Sequence, residues 1–203
     1  MTRCPRSLLT AAAALSLGLF VSRTAGAVGT AAGTTISNTA QVSYTIGGNA
    51  LTTTSNPADV TVGEILDVAV SIQSATVPVA AGSTRRPLTY RVTNTGNGPE
   101  IFGLAADSAI TGDAFDPVLD VPAIYFDTDN SGDFSPGDTA YTPGSNDPNL
   151  APDGSVLVFV LNDIPTGLAD GAQGRSRLTA RALTGDGTPG TVFAGKGQGG
   201  TDA

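Results

Sequence analysis

The chain has 203 residues, with 26 Gly and 13 Pro, 40% hydrophobic, 5% aromatic and 14% charged, which leaves room for one full domain plus extensions. Acids outnumber bases 18 to 10, which removes the electrostatic basis for binding nucleic acid or an anionic membrane surface and favours cations or basic partners. With no His, no Trp and a single Cys, the chain has no means of building a Ser/His/Asp or Cys/His centre, a His-ligated zinc site or a His-ligated haem, so the composition predicts a protein that is not an enzyme.

The N-terminus reads as an address. Arg3 and Arg6 precede an apolar run from Leu8 to Val21, and Ala25-Gly26-Ala27 supplies the small residues of a cleavage site. This predicts a signal peptide over residues 1–27, cleavage after Ala27, and a protein that is secreted or at the cell surface. The run of about 14 residues is shorter than the roughly 20 that a bilayer-spanning helix needs, so no transmembrane segment is expected once the signal is removed. Cys4 lies before the apolar run, whereas a lipid-attachment cysteine would follow it. The rest of the chain carries 18 acids against 7 bases and no cysteine. Its stability outside the cytoplasm must then come from the core or from bound ions.

Beyond residue 27 the pattern is of strands. Residues Ile36 to Ile46 alternate, with Val42, Tyr44 and Ile46 on one face, and Gly47-Gly48-Asn49 turns the chain into a second strand through Thr52 to Val62. Val68, Val70 and Ile72 form one apolar face, and Leu88, Tyr90 and Val92 another. The cluster Asn94-Thr95-Gly96-Asn97-Gly98-Pro99 ends that strand by turn chemistry, and Ile101 to Leu104 begins the next. Short apolar runs follow at Ala123 to Phe126 and at Val156 to Leu161. The second is apolar on both faces and so belongs in the middle of a sheet. Leu178, Ala180 and Ala182 alternate with Arg177, Thr179 and Arg181 in a last strand.

About eight or nine short strands punctuated by turns predict an all-β, immunoglobulin-like β-sandwich, with a closed barrel as the alternative. Its core is expected to bury Val68, Val70, Ile72, Tyr90, Val92, Val156, Val158 and Val160. The expected organisation is signal peptide 1–27, an N-terminal β-hairpin segment 28–63, the sandwich with an acidic loop 64–186, and a Gly-rich tail 187–203. That tail reads as the end of a truncated chain and is expected to be poorly ordered or an unpaired edge.

The run Leu88-Thr89-Tyr90-Arg91-Val92-Thr93-Asn94-Thr95-Gly96-Asn97-Gly98-Pro99 resembles the signature of the conserved-repeat, immunoglobulin-like domains of unknown function found in bacterial secreted and cell-surface proteins. Ile36-Ser37-Asn38-Thr39-Ala40 is similar to a hairpin motif of the same repeats, and the resemblance spans about residues 34 to 184. It implies tandem modules of long surface proteins and no catalytic residues.

One segment carries metal chemistry. Asp127-Thr128-Asp129-Asn130-Ser131-Gly132-Asp133-Phe134-Ser135-Pro136-Gly137-Asp138 follows a calcium-loop spacing at positions 1, 3 and 6, with Ser131 at position 5 and Asp138 in place of Glu at position 12. The expected ligands are Asp127, Asp129, Ser131, Asp133 and Asp138. The flanks read as strands rather than helices, so the loop would cap a hairpin outside the core. The same residues also suit a metal-free Asp/Ser/Gly turn. Between Asp107 and Asp170 there are 12 acids and no Lys or Arg, which favours a cation. Arg85 and Arg86 suit an acidic partner or a solvated turn, and Arg175, Arg177 and Arg181 suit a solvent face or a guarded edge. Together these features predict a non-catalytic structural module whose partner is a surface protein or glycan, or alternatively a carbohydrate- or protein-binding adhesion module. An aromatic cluster on one face would favour the alternative.

Overall fold

A computed structural model describes residues 29–74, 76–184, 194–197 and 200–203. The expected signal peptide, residues 1–27, lies outside them. The described residues are all-β, with twelve strands and no α-helix. The extra strands, relative to the eight or nine expected, come from two-residue ladders and from breaks within the first two runs.

The chain opens with β1 (Thr35–Asn38), β2 (Gln41–Ile46), β3 (Asn49–Thr54) and β4 (Ala58–Thr61). Strand β1 pairs with β4 and β2 with β3, all antiparallel, so the four form one long two-stranded ribbon. Gly47 and Gly48, at φ +58° and +83°, make the tight turn at its tip, since two successive positive φ values match the twist of a two-residue hairpin. Asn38 faces Ala58 but Gln41 faces Thr54, so the returning strand holds one extra residue, a bulge at residues 55–57.

The body contains β5 (Val68–Ile72), β6 (Arg86–Asn94), β7 (Glu100–Asp107), β8 (Val118–Phe126), β9 (Thr139–Ala140), β10 (Asn149–Leu150), β11 (Ser155–Asp163) and β12 (Arg177–Ala182). They form a five-stranded antiparallel sheet in the order β5-β6-β11-β8-β9 and a three-stranded one in the order β10-β7-β12. The two ladders are separate rather than closed into a barrel, and they share one core in a sandwich-like arrangement. Tyr90, Val92, Ile124, Val158 and Val160 of the larger sheet pack with Phe102, Leu104, Leu150 and Leu178 of the smaller. Two tyrosine hydroxyls reach across: Tyr90 donates to the Ser176 carbonyl at 2.6 Å, and Tyr141 accepts from the Leu104 amide at 3.0 Å. Burial pushes both phenols above their ordinary pKa.

Strand β11 lies between β6 and β8, as its unbroken apolar run predicted. The expected core is partly corrected. Tyr90, Val92, Val158 and Val160 are buried, but Val68, Val70 and Val156 only flank the core, and Ile72 is 56% exposed. Alternation placed Val68, Val70 and Ile72 on the right face, yet β5 is the edge of its sheet and Ile72 is its last residue. Of the expected tail, residues 187–193 and 198–199 lie outside the described residues; in the rest, the Glu64 amide donates to the Asp202 carbonyl at 2.8 Å and Gly197 is buried.

A polar knot joins ribbon and body. Asn94, 1% exposed, donates its amide to the carbonyls of Gly98 and Leu150, both at 2.8 Å, and accepts from the Gly96 amide at 2.9 Å. Asn97 accepts from the Ile65 amide at 2.7 Å and donates to the carbonyls of Thr30 and Gly63 at 3.1 Å. A side chain at Gly96 would strike the Ile65 backbone carbonyl, so close approach requires glycine there, whereas one at Gly98 would displace the end of the Glu64 side chain.

Candidate metal loop and its aromatic support

Strands β8 and β9 pair through Tyr125 with Ala140 and Phe126 with Thr139, so the acidic segment 127–138 closes a hairpin. Asn130 and Gly132, at φ +55° and +80°, turn the chain back on itself. This folding brings carboxylate oxygens of Asp127, Asp129 and Asp138 within 4.8 Å of one another. Calcium holds its oxygens at about 2.3–2.6 Å, so two ligands of one ion lie at most about 5 Å apart, and the trio satisfies that limit.

The loop is also held by its own donors. Asp127 accepts from the amides of Ser131 and Gly132, each at 3.0 Å. Asp129 accepts from the Ser131 amide at 3.0 Å and from the Ser135 hydroxyl at 2.7 Å. Asp138 accepts from the amides of Thr128 at 3.1 Å and Ser135 at 2.7 Å. Each oxygen of an ionised carboxylate takes about two such contacts, so each retains capacity for a cation. Asp133 does not join the trio, and Ser131 spends its hydroxyl on the Asp133 carbonyl at 2.7 Å.

The hydroxyl of Ser135 and the amide of Ser131 hold the Asp129 carboxyl at about 2, below its ordinary 3.8. A depressed folded-state pKa means that the ionised form supports the fold at pH values above about 4, and that this support is lost as pH falls through about 2. In chelator, the melting temperature of the wild-type chain should therefore fall more steeply between those values than that of Asp129→Asn. Parallel curves would show that the Ser135 and Ser131 bonds do not favour the charged form.

No protein family, curated protein or solved structure matches this chain. The loop is thus read from its own geometry, which leaves it outside the core cluster but packs one of its side chains on the larger sheet. Phe134, in the middle of the loop, lies edge-on to Tyr125 with centroids 5.1 Å apart and to Phe159 at 6.0 Å. Phe159 is fully buried, on the face of β11 opposite Val158 and Val160. The loop is therefore part of what covers the outer face of the larger sheet.

Arg85 completes this support. Its guanidinium lies 5.2 Å from the Phe134 centroid and 5.5 Å from that of Tyr125, and pairs with Asp120 at 2.7 Å. The aromatic cluster exists, but its rings pack on one another beneath an arginine and are no open stacking platform. Arg85 is thus bound to the loop's foundation, while Arg177 pairs with Asp107 at 2.5 Å on the exposed side of β12.

The functional residues that sequence reasoning missed are Phe134, Arg85 as its partner, and Ser135 as the donor to Asp129. Ser135 lies six residues beyond Asp129 within the motif, and that position was the one available signal.

Proposed function

We propose that the chain is a non-catalytic structural module of a bacterial secreted or cell-surface protein, immunoglobulin-like in its sandwich, in which the acidic loop takes calcium to brace the larger sheet. The observation that carries this reading is the convergence of Asp127, Asp129 and Asp138 on a loop whose Phe134 covers Phe159. An ion there neutralises carboxylates that repel one another and ties the loop to the sheet beneath it. The export signal in residues 1–27 and the resemblance around Asn94 to Pro99 support the placement outside the cytoplasm.

Calcium adds to a loop that already closes on its own hydrogen bonds, so it strengthens the fold rather than switching it on. Extracellular sites work at dissociation constants of about 10⁻⁴ to 10⁻³ M, so millimolar calcium is expected to contribute on the order of 1 kcal/mol.

The test uses exported protein, whose N-terminus should begin at Val28. Its melting temperature should rise by about 3 °C in millimolar calcium relative to chelator, with heat released or absorbed on titration. Asp127→Ala with Asp129→Ala should abolish that rise. Equal melting temperatures and no heat of binding would leave the metal-free turn as the correct account, and an intact Met1 segment on exported material would remove the signal-peptide reading.

A further inference from the structure

Among the described residues, nothing packs on one face of the ribbon formed by β1 to β4. Ile36 pairs with Val60 and Tyr44 with Leu51, and directly opposed residues of an antiparallel pair share a face. Val42 and Ile46 lie on the same side as Tyr44 by alternation. All six are exposed, from 43% for Leu51 to 65% for Val60. The other face is polar, with Ser43 and Thr52 joined through their hydroxyls at 3.2 Å. A two-stranded ribbon with nothing against its apolar face is marginal in water. Among the described residues, this one is hydrogen-bonded to the body near Ala32 and Gly63, through the Asn97 knot.

We infer that the apolar face of this ribbon is the seat of a twofold contact with the same ribbon of a second copy of the chain. From their fractional exposures, the six side chains leave roughly 600 Å² open, at the upper end of the patches that monomers carry. Closing two such faces on each other removes about 1,200 Å², which reaches the size of a specific interface.

Charge is compatible with the same occupant. The chain carries a net charge of −8, yet between Thr35 and Thr61 its single charged residue is Asp59. Asp59 pairs with Ser37 and so lies on the polar face. The ribbon is thus a place where two acidic copies meet without like charges opposed. The contact is isologous, because each ribbon offers the other the same six side chains. It does not depend on the metal loop, which closes the β8–β9 hairpin.

The test is sedimentation of the chain as exported. At about 50 µM it should run at twice the chain mass, and Tyr44→Glu with Ile46→Glu should weaken the dimer at least 100-fold while leaving the β signature in circular dichroism. Gln41→Glu with Thr45→Glu puts two charges on the opposite face of the same strand and should leave the dimer intact.

A wild-type monomer at that concentration overturns the inference, as does a dimer that survives the apolar-face pair or one that the polar-face pair also dissociates. Larger open assemblies overturn the twofold contact. A monomer whose Tyr44 is protected from hydroxyl radicals means that the face is covered from within the chain, and it also overturns the inference.

Discussion

Asn94→Ala should lower the stability of the folded chain by about 3 kcal/mol, one of the two largest losses expected from a single substitution. The amide of Asn94 makes three hydrogen bonds at 1% exposure, to Gly98, Leu150 and Gly96. Each is worth about 1 kcal/mol net, and alanine leaves two carbonyls and one amide buried without partners. Asn94→Asp is the sharper probe because it keeps the volume and the acceptor but replaces the donor with an oxygen. That oxygen then faces the carbonyls of Gly98 and Leu150, so the loss should exceed that of alanine. Denaturant unfolding of the two variants checks the order. A loss below about 1 kcal/mol for Asn94→Ala would show that water satisfies these groups and that the knot is not part of the core.

The second large effect concerns Phe159. Phe159→Ala should cost about 3–4 kcal/mol, in the range for a fully buried phenylalanine, while the half-buried Phe134 should cost about 2 kcal/mol. The informative quantity is their coupling. If Phe134 covers Phe159 as its edge-on packing indicates, the double variant should be less destabilised than the sum by about 1 kcal/mol. Strict additivity in the denaturant midpoints would mean that the loop sits on the sheet without supporting it.

These two sites mark the limits of what the sequence discloses. Strand content was legible because alternation is a local property. Val42, Tyr44 and Ile46, and later Tyr90 and Val92, repeat at a period of two, and the apolar run of β11 announces burial on both faces. Depth was less legible, since the same alternation occurs in Ile72 at a sheet edge and in the bare face of the ribbon. Periodicity says which side a residue faces, whereas the layer opposite decides whether that side is covered.

Asn94 and Asn97 were read as turn formers, which they are. Their burial arises from carbonyls at Leu150, Thr30 and Gly63, between 34 and 67 positions away in the chain for Asn97 and 56 for Asn94. Nothing local signals that. Within the acidic loop, the trio Asp127, Asp129 and Asp138 was legible from spacing because one short segment supplies it. Phe134 was not, because a lone aromatic in a polar stretch has no period to betray the surface it meets.

The Asn97 knot has a mechanical consequence. Its side chain holds both roots of the ribbon at once, through Thr30 ahead of β1 and through Gly63 and Ile65 beyond β4. A pull on the ribbon tip is therefore shared between the two roots instead of peeling one away from the other. The force arrives at the turn after β6 as a push or a twist of the whole arm, which makes the ribbon a lever and Asn97 its pivot.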